Sequence, residues 1–254
     1  MNRDMVRQVT NVLAYIAVIV VNGLANALPL NGQTTGEISD RFQVYFVPAA
    51  YVFSIWGLIY LLLLGFTIYQ TLPAQRENSR LRRIGSLFAL SSLFNIIWIF
   101  LWHYNVFVLT LVAMGGLLAT LIAIYLRLDI NRVPVSRREN WLIEIPFSIY
   151  LGWITVATVA NVTAVLDYVN WGGWGISAEA WTVIMLVVGA AITLAVVLTR
   201  GDVAYTLVIL WAYAGIAVRQ AGVPAVATAA WVMAALVALL VPLAWWRGRG
   251  LARA

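Results

Sequence analysis

The sequence has no cysteine and no lysine, and only one histidine, His103, among 254 residues. Without thiols there can be no disulfides, thiolate metal centres or cysteine nucleophiles. Charge is scarce as well, with Asp, Glu, Lys and Arg together making up 10% of the chain. Glu144 is the single acid well inside an apolar run, so a chain of buried ionisable groups of the kind a proton-coupled pump needs is missing. No Ser-His-Asp set, phosphate-binding loop or metal-ligand spacing occurs.

Apolar residues are abundant. They make up 63% of the chain, and the mean hydropathy is +0.90. A water-soluble domain cannot hide that much apolar surface, so the class is an all-α integral membrane protein. The net charge of +6 does not point to nucleic acid, because all sixteen basic residues are arginines grouped in short segments between apolar runs. Runs of about 20 apolar residues span a bilayer. About eight are expected, near 9–28, 47–70, 84–103, 106–126, 141–166, 180–199, 203–219 and 224–246. With the N-terminus inside, fourteen arginines fall on the inner side. Only Arg41 and Arg219 fall outside, which predicts cytoplasmic N- and C-termini. Arg3, Arg7 and the Ala25-Asn26-Ala27 pattern imitate a secretory signal, but the segment is read as a retained first span.

Several spans carry polar and aromatic residues at helical spacing. The first has Asn11, Asn22 and Asn26. The second has Phe53, Trp56 and Tyr60, on one side of a helix at about 100° per residue. The third has Ser91, Asn95, Trp98 and Trp102, and the fifth has Pro146, Tyr150, Trp153, Ala157 and Asn161. The seventh shows a weaker set, Trp211, Gly215 and Arg219. Helix packing accounts for any one of these residues, since Asn and Ser bond across membrane helices. Their coincidence on spans 1, 2, 3 and 5 predicts an apolar pocket with a few convergent polar groups, suited to a flat aromatic ligand. His103, in Trp-His-Tyr-Asn, reads either as a metal ligand or as an interfacial polar residue. Arg41 reads as a solvated cation or a partner for a ligand carboxylate. Leu121-x-x-x-Tyr125-x-Arg127 fits a proposed sterol pattern, and Gly172-Gly173 between Trp171 and Trp174 reads as an interfacial turn.

The second-span segment, with Pro48, Tyr51, Phe53, Trp56 and Tyr60, resembles the second-helix signature of the tryptophan-rich sensory protein (TspO, translocator protein) family. That signature typically reads Pro-Pro-x-Trp-x-Phe-x-x-Val-Trp-x-x-Leu-Tyr. Asn95 with Trp98 resembles the family's third-helix Asn-x-x-Trp. Tyr150, Trp153, Ala157, Thr158 and Asn161 resemble its fifth-helix pattern. Here Ala49 stands at the usual second proline, Tyr51 at the usual tryptophan, and Ile149 before Tyr150 where proline is usual.

The resemblance covers about residues 1–170 and implies a five-helix ligand-binding core, with 171–254 as a three-helix C-terminal membrane extension. It implies a receptor or carrier for a hydrophobic small molecule, a porphyrin or other tetrapyrrole (haem or a bacteriochlorophyll type included). No cofactor is obligatory. The implied ligand-binding residues are Asn22, Asn26, Phe53, Trp56, Tyr60, Asn95, Trp98, Tyr150, Trp153 and Asn161, under a lid near 29–46. Light-dependent porphyrin degradation, proposed for the family with two cavity tryptophans, would fall on Trp56 and Trp153. A homodimer, or an accessory role in a larger membrane assembly such as a photosynthetic complex, is a further reading, motivated by the three extra helices. The expected location is a bacterial cytoplasmic (inner) membrane, with the lipid bilayer as a partner and nucleic acid excluded.

Overall fold

In the computed structural model, residues 3–28 and 30–251 are described. Pro29 of the expected lid and Arg253 of the inner-side arginine count lie outside the described residues. All regular structure among the described residues is helical. In chain order the α-helices are α1 (Arg3–Ala27), α2 (Thr35–Ser39), α3 (Ile55–Thr71), α4 (Ser79–Ile84), α5 (Leu87–His103) and α6 (Phe107–Arg127). They continue with α7 (Arg137–Glu139), α8 (Ile145–Tyr168), α9 (Ala178–Arg200), α10 (Val203–Arg219) and α11 (Pro224–Leu251). Six helical stretches among the described residues are long and apolar enough to cross a membrane, and α5 and α10 are shorter apolar helices. Large apolar side chains such as Leu13, Leu61, Val112 and Leu239 are exposed along them. In water these would be aggregation-prone patches, whereas in a bilayer they are the lipid contact. The protein is a multi-pass helical membrane protein.

Three elements depart from a plain apolar-run reading. Helix α1 starts at Arg3, six residues before the expected apolar run, because its polar first turns are bonded. Arg82 Nε donates to Asp4 at 2.9 Å, and Arg7 Nη2 donates to the Arg76 carbonyl at 2.9 Å. Gln8 and Gln70 exchange side-chain-to-carbonyl bonds of 2.6 and 3.1 Å. Second, the chain enters α3 through a tighter 3₁₀ turn, Ala50–Ser54, so Phe53 does not share the α-helical spiral of Trp56 and Tyr60. Third, α7 and α8 are joined by a π turn, Asn140–Glu144, whose wide ring closes from Ile145 N–H to Asn140 O.

The chain forms two compact units. One comprises Met1–Arg41, Gly57–Ile130 and Val135–Leu151. Its core includes Phe66, Phe88 and Phe147, whose rings meet edge to face at 4.9–6.1 Å. Helices α5 and α6 pack closely because Gly116 lies under the Phe94 ring, where an added Cβ would come within 2.5 Å of it. Buried Arg80, in α4, donates to Glu144 at 2.6 Å and to the Leu128 carbonyl at 2.7 Å. The first loop contains α2, capped by a reciprocal Thr34–Glu37 box.

The other unit comprises Phe42–Trp56, Asn131–Pro134 and Gly152–Ala254. Here α9, α10 and α11 pack through small residues, among them Ala212, Ala230, Ala234 and Ala244, all buried. Gly201, at φ +61°, ends α9 against the Gly248 backbone, where an added Cβ would come within 2.3 Å of the Gly248 nitrogen.

Glu144→Gln should destabilise the protein by about 3–5 kcal/mol, because it leaves the Arg80 guanidinium buried without its carboxylate. Thermal unfolding in detergent checks this, and an unchanged midpoint would contradict the pairing. The Thr34 N–H and hydroxyl, at 2.7 and 2.9 Å, hold the Glu37 carboxyl below the usual carboxylate range. The stability that the cap adds is therefore present above the ordinary carboxylate pKa, about 4.3. It is lost as pH falls through the depressed folded value. Amide exchange of Thr35–Ser39, corrected for intrinsic rates, should accelerate on acidification in the native chain and be independent of this titration in Glu37→Gln.

Candidate functional site

Of the residues singled out by spacing, Asn22, Asn26, Tyr60, Asn95, Trp98 and Tyr150 fall in the first unit. Three of them close a hydrogen-bonded chain across α1, α5 and α8. Asn22 Nδ2 donates to Asn95 Oδ1 at 2.8 Å, and Asn95 Nδ2 donates to the Tyr150 hydroxyl at 3.2 Å. All three are buried. A buried amide whose two ends are both engaged locks neighbouring helices together. Asn26 belongs to the same stripe on paper but is exposed, and its amide donates back to the Asn22 carbonyl at 2.9 Å. It lies in the last turn of α1, directly after buried Ala25. The Tyr60 carbonyl accepts from the Tyr15 hydroxyl at 3.0 Å. Trp98 stacks on Trp102 at 5.2 Å and 18°.

His103 is fully buried. Its Nδ1 lies 2.8 Å from the Ile99 carbonyl and its Nε2 lies 3.4 Å from Thr35 Oγ1, so the ring ties α2 to α5. No group of three His, Cys, Asp or Glu side chains able to hold a metal occurs among the described residues. Arg41 donates to Asn105 Oδ1 and lies over the Phe107 ring at 5.5 Å. Leu121 and Tyr125 of the sterol-like pattern are buried.

Phe53, Trp56, Trp153 and Asn161 fall in the second unit. Trp153 is 2% exposed and sits between two aromatic neighbours. The Phe53 ring meets it at 5.6 Å and 88°, and the Trp56 ring at 6.1 Å and 85°. Both are edge-to-face contacts, the geometry that ring quadrupoles favour. Phe53 remains 37% exposed and Trp56 is half-buried, so the cluster has an open side. The indole N–H of Trp153 has no hydrogen-bond partner among the described residues. An indole nitrogen is a donor only, and leaving a buried donor unpaired costs about 1–3 kcal/mol. A ligand that brings an acceptor atom and a flat apolar face would match both features. Asn161 is buried two turns farther along α8.

Spacing undervalued one neighbour of this cluster, helix α10. Trp211 Nε1 donates to the Val52 carbonyl at 3.2 Å, and Gln220 Nε2 donates to the Tyr45 carbonyl at 3.0 Å. Ala49 N–H donates to the Gly215 carbonyl at 3.0 Å. Trp211 and Gly215 were visible in the weak α10 stripe. Gln220 lies just past the helix end, where no periodic signal reaches.

No curated protein and no solved structure matches the chain. A family model does, that of TSPO-like proteins, over residues 8–243. The match runs from α1 into α11 and includes α9 and α10. With nearly its whole length matched, the chain belongs to the TSPO-like protein family.

Proposed function

We propose that this protein is a membrane receptor or carrier for a flat hydrophobic ligand, a tetrapyrrole of the porphyrin class. Trp153, Phe53 and Trp56 form the binding wall. The observation that carries this reading is the Trp153 indole N–H, buried and unpaired between two aromatic rings that are themselves partly open. A porphyrin offers what that wall lacks. It brings a broad π face for edge and stacking contacts, and acceptor atoms in its ring nitrogens and carboxylates. Family membership supports the reading, as do the residues that resemble the family's second- and fifth-helix signatures. The arginine distribution supports eight spans with both termini in the cytoplasm of a bacterial inner membrane. The buried pairing of Glu144 with Arg80 favours binding over proton-coupled pumping, because that lone acid is already engaged.

Trp153→Phe keeps a ring in place and deletes the donor. A free-base porphyrin titrated into the full chain in detergent, read by tryptophan quenching and by porphyrin absorbance, should bind about five- to tenfold more weakly to this variant. Trp246→Phe, which removes an exposed indole near the end of α11, should leave the affinity unchanged. Equal affinity of the native chain and Trp153→Phe would remove this wall as the binding site.

A further inference from the structure

We infer that α10 is the positioning element of the Trp153 wall: Trp211, Gly215 and Gln220 hold the segment that presents Phe53, while Tyr205 and Val208 hold the turn of α8 that presents Trp153. The consequence for ligand affinity rests on the binding proposal above, but the positioning itself does not.

The run from Phe42 to Ala49 contains no helix, and the chain then enters α3 through the 3₁₀ turn. Buried non-helical backbone needs protein partners for its polar groups. Helix α10 supplies three, to the Tyr45 carbonyl, the Ala49 N–H and the Val52 carbonyl. The contact is close because position 215 is glycine. A Cβ there would come within 2.2 Å of Val52 Cγ2 and 3.2 Å of Pro48 Cβ. Phe46 meets the Tyr213 ring edge to face at 6.5 Å, and Tyr51 meets Trp211 at 5.5 Å.

Ala49 has φ −59° and ψ 150°, a conformation that proline also adopts. Proline at this position would have no N–H to give Gly215. Alanine, standing where the resembling signature usually has its second proline, is the residue that lets α10 dock.

The same helix grips α8. A Cβ on Gly152 would come within 3.1 Å of Val208 Cβ and 3.3 Å of the Tyr205 carbonyl. The Tyr205 hydroxyl donates to Thr155 Oγ1 at 3.2 Å. Phe53 directly follows Val52, and Trp153 directly follows Gly152. Each aromatic residue is therefore one peptide away from a backbone contact with α10. A shift of α10 would change the spacing between the rings before it disturbed the rest of either helix.

The test uses the full chain labelled with 5-fluorotryptophan, in detergent and without ligand, with the Trp153 ¹⁹F resonance assigned through Trp153→Phe. The variants are Ala49→Pro, which deletes one donor, and Gly215→Ala, which forces Val52 outward. Trp211→Phe is milder: it removes the bond to the Val52 carbonyl and keeps a ring facing Tyr51. The Trp153 resonance should move or split in each folded variant, and Val52→Ala in the Gly215→Ala background should return it toward the native position. Porphyrin affinity should fall about tenfold in Ala49→Pro and Gly215→Ala and recover in the double variant. An unmoved Trp153 resonance in folded Trp211→Phe and in either other variant would overturn the positioning role. If the resonance moves but no form of the chain binds porphyrin, the positioning role stands and the ligand proposal falls.

Discussion

Buried backbone polar groups need partners, and in the second unit that requirement falls on a short run between Phe42 and Ser54. It contains eight residues outside any helix and then a 3₁₀ turn, which bonds its own backbone less well than an α-helix does. Three of its bonds come from α10 and its cap, through the Trp211 indole, the Gly215 carbonyl and the amide of Gln220 just past the helix end. With that run satisfied, Phe53 and Trp56 have a defined start and meet Trp153 edge to face. The small residues of α9, α10 and α11 serve the same end, because a helix can brace a segment only if it is itself held. Gly201 against Gly248, and the buried alanines of α11, provide that close packing.

Buried polar groups differ in how far their neighbours satisfy them. Asn22, Asn95 and Tyr150 satisfy one another in a chain across three helices, so they cost little and fix helix positions. His103 does the same on a smaller scale, between Ile99 and Thr35. The Trp153 indole is different, since its donor is buried and no acceptor among the described residues meets it. This contrast, more than the number of aromatic residues, singles out Trp153 from the other eleven tryptophans.

The few charges are used structurally. Asp4 with Arg82, and Glu144 with Arg80, pin the ends of apolar helices to the arginine-rich connections. These arginines act as anchors for helix starts. This anchoring explains why α1 remains helical through Arg3–Gln8, where the residues are not apolar enough to be held by lipid.

The sequence by itself determined the class, a multi-pass helical membrane protein, because bilayer thickness sets a length of apolar run that composition alone can meet. It also carried the family, through three short motifs on spans 2, 3 and 5. Spacing places residues on a face of their own helix, but it says nothing about what that face meets. For this reason Asn22 and Asn26 looked alike, although one is buried against Asn95 and the other is exposed in the last turn. For the same reason α10 looked marginal, although its glycine and indole brace the Phe53 segment. The 3₁₀ entry that takes Phe53 off the α-helical spiral, the Arg80–Glu144 pair and the unpaired Trp153 donor were decided only by tertiary structure. Each depends on groups dozens of residues apart, or on the lack of any group, and neither is written in the period of a single helix.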